Sequence, residues 1–287
     1  MRTLLIADIH IEDNAIEEID SIFVNDICKL KADRIIQLGD LFDKNRPTPN
    51  ELKFTTHLIN KLIKQYKDVT LLSGNGSHEF LNGVGIIEYM HELGAKVIPK
   101  DHFVLENIYY GHHMLHESML EYGSGKCGLK DLKQYNYSIL AHQHNFQKFN
   151  DKVYHLGSIR YQNFNEASDE NKYVAILTDN KELELIALKS PIKMIDVHSL
   201  DELQDVEFDS KVRLIISSFE QFKKSINEIH KWKTKFKQFK VKLDFEEKQV
   251  ELETADTSNK KLEEILAEGI DKVEDKEVRE MLKESLK

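Results

Sequence analysis

Five short motifs carry the side chains of this chain that could do chemistry: Asp8-Ile9-His10, Gly39-Asp40, Gly74-Asn75, Gly111-His112 and His142-Gln143-His144. Each follows a short apolar run that reads as a β-strand, so each sets an oxygen or an imidazole where a strand ends. Converged on one spot they supply seven ligands (Asp8, His10, Asp40, Asn75, His112, His142 and His144), enough for two divalent ions. Carboxylate, imidazole and amide donors together suit manganese, iron or zinc better than calcium, which prefers oxygen alone. Two such ions about 3.5–4 Å apart bind a phosphate oxygen, activate a water and neutralise a leaving oxygen. That is the chemistry of a two-metal phosphoesterase. Asp40 is the natural bridge, because one carboxylate can hold both ions. His78, just past Asn75, is not needed as a ligand. It is placed to give a proton or a hydrogen bond to the scissile phosphate or its leaving group.

Singly, each motif is ordinary. Asp-x-His pairs arise by chance, and Gly-Asp and Gly-Asn are common turn pieces. His142 and His144 alternate along a strand and face one side, which a surface pair would also do. The ordered series, each member after an apolar strand, is what points to a metal site.

The elements that must position these residues follow from periodicity. Thr3 to Ala7, Ile35 to Leu38 and Val69 to Leu72 read as buried strands. Between them, Ile16 to Leu30 and Asn50 to Tyr66 read as helices, the second opened by Pro49. Such alternation predicts a largely parallel sheet, whose ligands lie beyond the carboxyl ends of its strands. From Asn107 the strands come closer together: Ile108 to Tyr110, Tyr137 to Leu140, Val153 to Leu156, Tyr173 to Thr178 and Leu183 to Leu188. They predict a second sheet, and so an α/β two-sheet sandwich flanked by helices. Gly123 to Asp131 reads as a loop leading into a short helix. Lys189-Ser190-Pro191 marks a boundary after a catalytic domain over 1–190. A small α+β domain over 191–252 follows, with strand Lys211 to Ile216, helix Glu220 to Lys231 and strand Phe236 to Phe245. Residues 253–287 read as a C-terminal amphipathic helix pair.

Composition narrows the class. Hydrophobic residues are 40% of the 287, enough for a sizeable core. No run approaches the roughly 18–20 apolar residues of a membrane helix, and the N-terminus does not read as a signal peptide. Cys28 and Cys127 stand alone, as reduced thiols of a cytoplasmic protein do. A net charge of −10 argues mildly against a purely electrostatic nucleic-acid binder, but bound cations would cancel part of it at a metal site.

The chain resembles the calcineurin-like metallophosphoesterases, and within them the SbcD-type DNA double-strand-break repair nucleases in their compact phage and bacterial form. The resemblance rests on DIH at Asp8–His10, GDLFDKNRPTPN at Gly39–Asn50, GN at Gly74–Asn75, GH at Gly111–His112, AHQH at Ala141–His144 and LGSIRYQNF at Leu156–Phe164. It covers residues 1–190 well and the remainder in outline. It implies one ion held by Asp8, His10, Asp40 and His144, and another, with manganese the expected metal, held by Asp40, Asn75, His112 and His142. Three departures stand out. The family's GNH[DE] is here GNGSHE, which leaves Asn75 or Ser77 for the amide position and can displace His78. GHHMLHES offers His112 or, if the strand runs on, His116. The family's GHxH is AHQH, a small change at Ala141.

Eight lysines lie between Phe222 and Lys242 among Trp232, Phe236 and Phe239. They suit a DNA backbone contact, through Lys231, Lys233, Lys235 and Lys237, or equally a solvated helix and an edge strand guarded against aggregation. The resemblance implies DNA as substrate, a homodimer, and an SbcC-type ATPase docked on the C-terminal helices. The resulting expectation is a manganese-dependent exo- and endonuclease. The competing ones are a phosphomonoesterase or cyclic-nucleotide phosphodiesterase, and a silent DNA-end-binding scaffold.

Overall fold

A computed structural model describes residues 1–81, 84–118, 126–179 and 182–244. The expected C-terminal helix pair, and residues 245–252 of the expected small domain, lie outside these. Strands β1 (Arg2–Ile6), β2 (Arg34–Leu38) and β3 (Asp68–Leu72) alternate with helices α1 (Ile16–Asn25) and α2 (Pro49–Gln65). Helix α2 starts on a capping box: Thr48 accepts from the Glu51 N–H and Glu51 accepts from the Thr48 N–H, with Pro49 at the first helical position. A helical turn, α3 (Gly76–Glu79), leads into the short strands β4 (Phe80–Leu81), β5 (Val84–Gly85) and β6 (Lys96–Ile98).

Strands β7 (His102–Leu105), β8 (Ile108–His112), β9 (Tyr137–Ala141), β10 (Gln147–Lys148) and β11 (Val153–His155) form a second sheet in the order β10-β11-β9-β8-β7. Strands β12 (Tyr173–Thr178) and β13 (Leu183–Ala187) do not join it, contrary to expectation. They return to the first sheet, whose order is β13-β12-β1-β2-β3-β6, with β12 antiparallel to β1. Strand spacing announces strands but not their neighbours. The pairing is decided by which edge is free, and β1 has one.

Packing explains why the chain is apolar from Leu4 in β1 to Ala7 just past it. Leu4 and Ile6 face one side, against Ile19, Phe23 and Leu62 of the helices. Leu5 and Ala7 face the other, against Tyr110, Ile139 and Leu156 of the second sheet. A strand buried on both faces loses its polar alternation. The two sheets and flanking helices thus make the expected sandwich.

The described part of the 123–131 segment, from Lys126 on, runs as turns rather than as a helix. Beyond Pro191 lies a parallel sheet of β14 (Met194–Val197), β15 (Lys211–Ile216) and β16 (Gln238–Leu243), with helix α4 (Phe219–Lys233) between the last two. Val212, Leu214 and Ile216 bury its face with Leu203 and Phe236.

Candidate metal centre

The ligand-bearing loops leave the carboxyl ends of adjacent strands and are tied to each other by backbone. Past β1, Asp8 N–H donates to the Gly39 carbonyl at 3.2 Å and His10 N–H to the Asp40 carbonyl at 3.0 Å. Past β3, the Asn75 N–H donates to Asp40 Oδ1 at 2.7 Å and its side-chain amide nitrogen lies 3.2 Å from Oδ2. His142, beyond β9, places its N–H 3.2 Å from both Asp8 oxygens and its Nδ1 2.8 Å from the Asn75 amide.

Two glycines make the approach possible. A Cβ on Gly39, where φ is +94°, would sit 2.2 Å from His112 Nδ1. A Cβ on Gly74 would sit 2.0 Å from Asp40 Oδ1. The Gly-Asp and Gly-Asn pairs are therefore not mere turn chemistry. Each glycine leaves room for a ligand from another strand.

All seven expected ligand side chains meet at this spot. Three groups, Asp8-His10-His144, His10-Asp40-His78 and Asp40-His112-His142, each offer ligand atoms within 4.8 Å of one another. Asp40 and His10 each belong to two of them. The Asn75 amide joins through Asp40 and His142. Ser77 and His116, the alternatives left open by sequence, are exposed, and His116 belongs to none of the three groups. His142 and His144 lie in the loop after β9, which ends at Ala141, not along a strand as expected. The φ of His142 is +87°, and this turn lets both imidazoles point into the site. His78 reaches the site despite the lengthened GNGSHE loop, its ring 4.9 Å from that of His10 and its Nδ1 bonded to the Asp43 carbonyl.

The donor chemistry fits divalent cations. His112 is buried, and its Nδ1 is bonded to the Leu38 carbonyl at 2.7 Å. That bond occupies Nδ1 and leaves Nε2 facing Asp40 Oδ2, 3.1 Å away. Nε2 of His112 and both ring nitrogens of buried His10 have no hydrogen-bond partner. Buried polar atoms are seldom left so. Imidazoles aimed at carboxylates without bonding them are what cation ligands look like.

Electrostatics split the site. Burial pushes the Asp8 carboxyl up, more than His112 and His144 pull it down. Burial acts on Asp40 too, but His112 beside it holds that carboxyl well below the usual range. In return, and against its own burial, His112 is pushed up to about 9 by Asp40. Burial and the neighbouring His112 push His142 down to about 4, so it stays neutral and able to ligate.

Three acidic residues near the ligands escaped the sequence reading. Asp43 Oδ1 lies 3.3 Å from His10 Nδ1. Glu79 accepts from the Leu41 N–H at 2.7 Å and the Gly74 N–H at 2.6 Å, joining the Asp40 and Asn75 loops. Glu166 lies 3.2 Å from His144 Nδ1. The first two stand inside the GDLFD and GNGSHE motifs, where their type was a usable signal. Glu166 carried none, because its loop is distant in sequence from every ligand.

One opening adjoins the ligands, and a second adjoins the first. A cavity of about 320 Å³ is lined by His142, His144 and Asn163 among others. It shares Asn163 and Asn165 with a cleft of about 600 Å³ bordered by Arg160, Lys211, Arg213, Lys237 and Lys240. Of the four lysines nominated from sequence, only Lys237 borders this cleft. Lys231 pairs with Glu228 at 3.5 Å, Lys235 sits over the Trp232 ring, and Lys233 is exposed on α4.

The chain belongs to the calcineurin-like phosphoesterases, whose sequence profile matches residues 1–218. Members of this family are hydrolases of phosphoesters that use divalent metals. Among solved structures, Yfce, a phosphoesterase from E. coli, is similar over 66% of this chain and 100% of its own, with 16% identity and a TM-score of 0.38. The Pseudomonas putida nuclease MPE is similar over 64% of this chain and 87% of its own, with 14% identity and a TM-score of 0.33. No curated protein matches the chain. Among the described residues, no helix is long and apolar enough to cross a membrane.

Proposed function

We propose that this phosphoesterase is a two-metal DNA nuclease of the SbcD type, cutting double-strand ends exonucleolytically and single strands endonucleolytically. The observation that carries the reading is the meeting of seven ligand side chains at a cavity that shares Asn163 and Asn165 with a cation-bordered cleft. A small phosphomonoester needs only the ligands. The cleft presents exposed Lys237 and Lys240, which suit a substrate with several phosphates in a row, while Arg160, Lys211 and Arg213 on its border are paired with Glu12, Glu18 and Asp196. The repair assignment rests on the sequence resemblance, as do manganese, a homodimer and an SbcC-type ATPase docked on residues 253–287; the cytoplasmic setting rests on the free cysteines Cys28 and Cys127. The division at 190 and 252 belongs to the same proposal.

Asp8, His10, Asp40 and His144 would hold one ion, and Asp40, Asn75, His112 and His142 the other. Such a pair of ions supplies a polarised phosphate, a nucleophilic water and charge relief at the leaving oxygen. The chain's own residues do the remainder. Asp40, bonded to both Asn75 and its backbone, keeps the two ligand sets in register. His78 donates its Nδ1–H to the Asp43 carbonyl; as the imidazolium it carries a second proton, on Nε2, and this is the one it would pass to the leaving oxygen, returning to the neutral ring. Gln162 fixes the Asp8 loop by donating to the Asp8 carbonyl at 3.1 Å.

The test is digestion of end-labelled linear duplex and single-stranded DNA with manganese, using wild type, Asp40→Ala and His78→Ala. Wild type releases nucleotides, Asp40→Ala releases none, and His78→Ala keeps its metals but turns over about 10²–10⁴-fold more slowly, as for a lost general acid. Activity on small aryl phosphates alone would replace the nuclease with a phosphomonoesterase. Binding of DNA without cleavage would leave a scaffold.

A further inference from the structure

The Glu166 carboxylate is 1% exposed and holds an unusual number of donors. Oε1 lies 3.2 Å from His144 Nδ1 and accepts from the backbone N–H groups of Gln162 and Asn163, each at 3.2 Å, and from the Asn163 amide at 3.0 Å. Oε2 accepts from Ser158 Oγ at 3.0 Å and Lys172 Nζ at 2.5 Å. Lys172 is 2% exposed. Its ammonium also reaches the His144 carbonyl at 3.0 Å and Asp169 Oδ2 at 2.8 Å. A buried ion pair is a poor way to stabilise a fold, since apolar residues of similar volume do as well or better. What this one does is pin a carboxylate so that it cannot turn away from an imidazole.

Resting on the two-metal reading, we propose that Glu166 is a positioning residue for one ion position only: it fixes His144 as the Nδ1–H tautomer, with Nε2 left to ligate beside Asp8 and His10, and Lys172 locks that carboxylate to the His144 backbone. A carboxylate on the far nitrogen of a ligating histidine sets its tautomer and raises its basicity. The other position does not depend on Glu166. There the tautomer of His112 is set by the Leu38 carbonyl. One ion position thus has an anionic support and the other a neutral one, which makes their affinities separable.

Manganese alone, titrated calorimetrically into the metal-free full-length chain, tests this. Wild type takes up two ions. Glu166→Gln weakens one of them about 10–100-fold and leaves the other as it was. In a His144→Ala background, Glu166→Gln weakens binding no further, because its effect passes through that imidazole. Glu166→Gln leaves the Lys172 ammonium with Asp169 in place of two carboxylates, so the fold itself is controlled with Glu166→Gln/Lys172→Met, which removes both charges of the Glu166–Lys172 pair. This double variant recovers thermal stability but not manganese affinity. Wild-type affinity at both positions in Glu166→Gln, or affinity that returns together with stability in the double variant, would overturn the positioning role alone. A wild-type chain that takes up no manganese would overturn the two-metal reading with it.

Discussion

Asp8, His10, Asp40 and His142 have φ between +46° and +87°. Among the described non-glycine residues, only Glu106 and Asn107 share this left-handed backbone. Each such residue costs about 1–3 kcal/mol, so the surroundings must impose it. The strain falls on the residues whose side chains converge. Gly39 shows how tight the arrangement is. Gly39→Ala puts a Cβ into the His112 ring at a positive φ. It should destabilise the chain by at least about 1–3 kcal/mol and displace His112, seen as lost stability in urea unfolding and a lost ion in metal analysis. Unchanged stability and metal content would contradict it. At this scale the sequence was most legible: a ligand type after an apolar run is a local signal, and all seven positions show it. Asp43 and Glu79 were harder. Their roles exist only once two loops from different strands touch.

Glu79 shows that dependence at the level of elements. It closes the gap between the loops after β2 and β3 by accepting the Leu41 and Gly74 N–H groups. Glu79→Ala leaves both donors without a partner at about 1–3 kcal/mol each, so the metal-free chain should lose about 2–6 kcal/mol in urea unfolding. A loss well under 1 kcal/mol would mean that other contacts hold the loops. The strand–helix alternation of the first 72 residues was readable because three mostly apolar five-residue strands are separated by helices whose apolar residues recur at helical spacing. β6 and β7, of three and four residues on the outer edges of their sheets, are not among the expected strands. β12 and β13 were seen as strands but given to the wrong sheet, since a strand's own pattern does not name its partner. The turn that carries His142 and His144 was read as strand because the alternation of two histidines mimics a period of two.

The chain as a whole is acidic, with a net charge of −10, yet the cleft that neighbours the ligand-lined cavity is edged by cations. They come from a loop before residue 165 and from β15 and the β16 region, segments about 50 to 80 residues apart in sequence. Only folding assembles them, so a local run of lysines pointed mostly elsewhere. Lys211 and Arg213 are already paired with Glu18 and Asp196. Lys237 and Lys240 are exposed and border the cleft. Replacing both by alanine should weaken DNA binding and lower the slope of log affinity against log salt by about 2, at about 0.9 per phosphate contact. An unaltered slope would remove these residues from the DNA path.

The central claim is that seven side chains from five strand ends hold two cations around Asp40. Anomalous diffraction at the manganese edge, on crystals grown with that metal, tests it most directly. The account predicts two peaks about 3.5–4 Å apart, both ligated by the Asp40 carboxylate, one flanked by His10 and His144 and the other by His112 and His142. No peak there, or manganese held by residues outside this set, would contradict it.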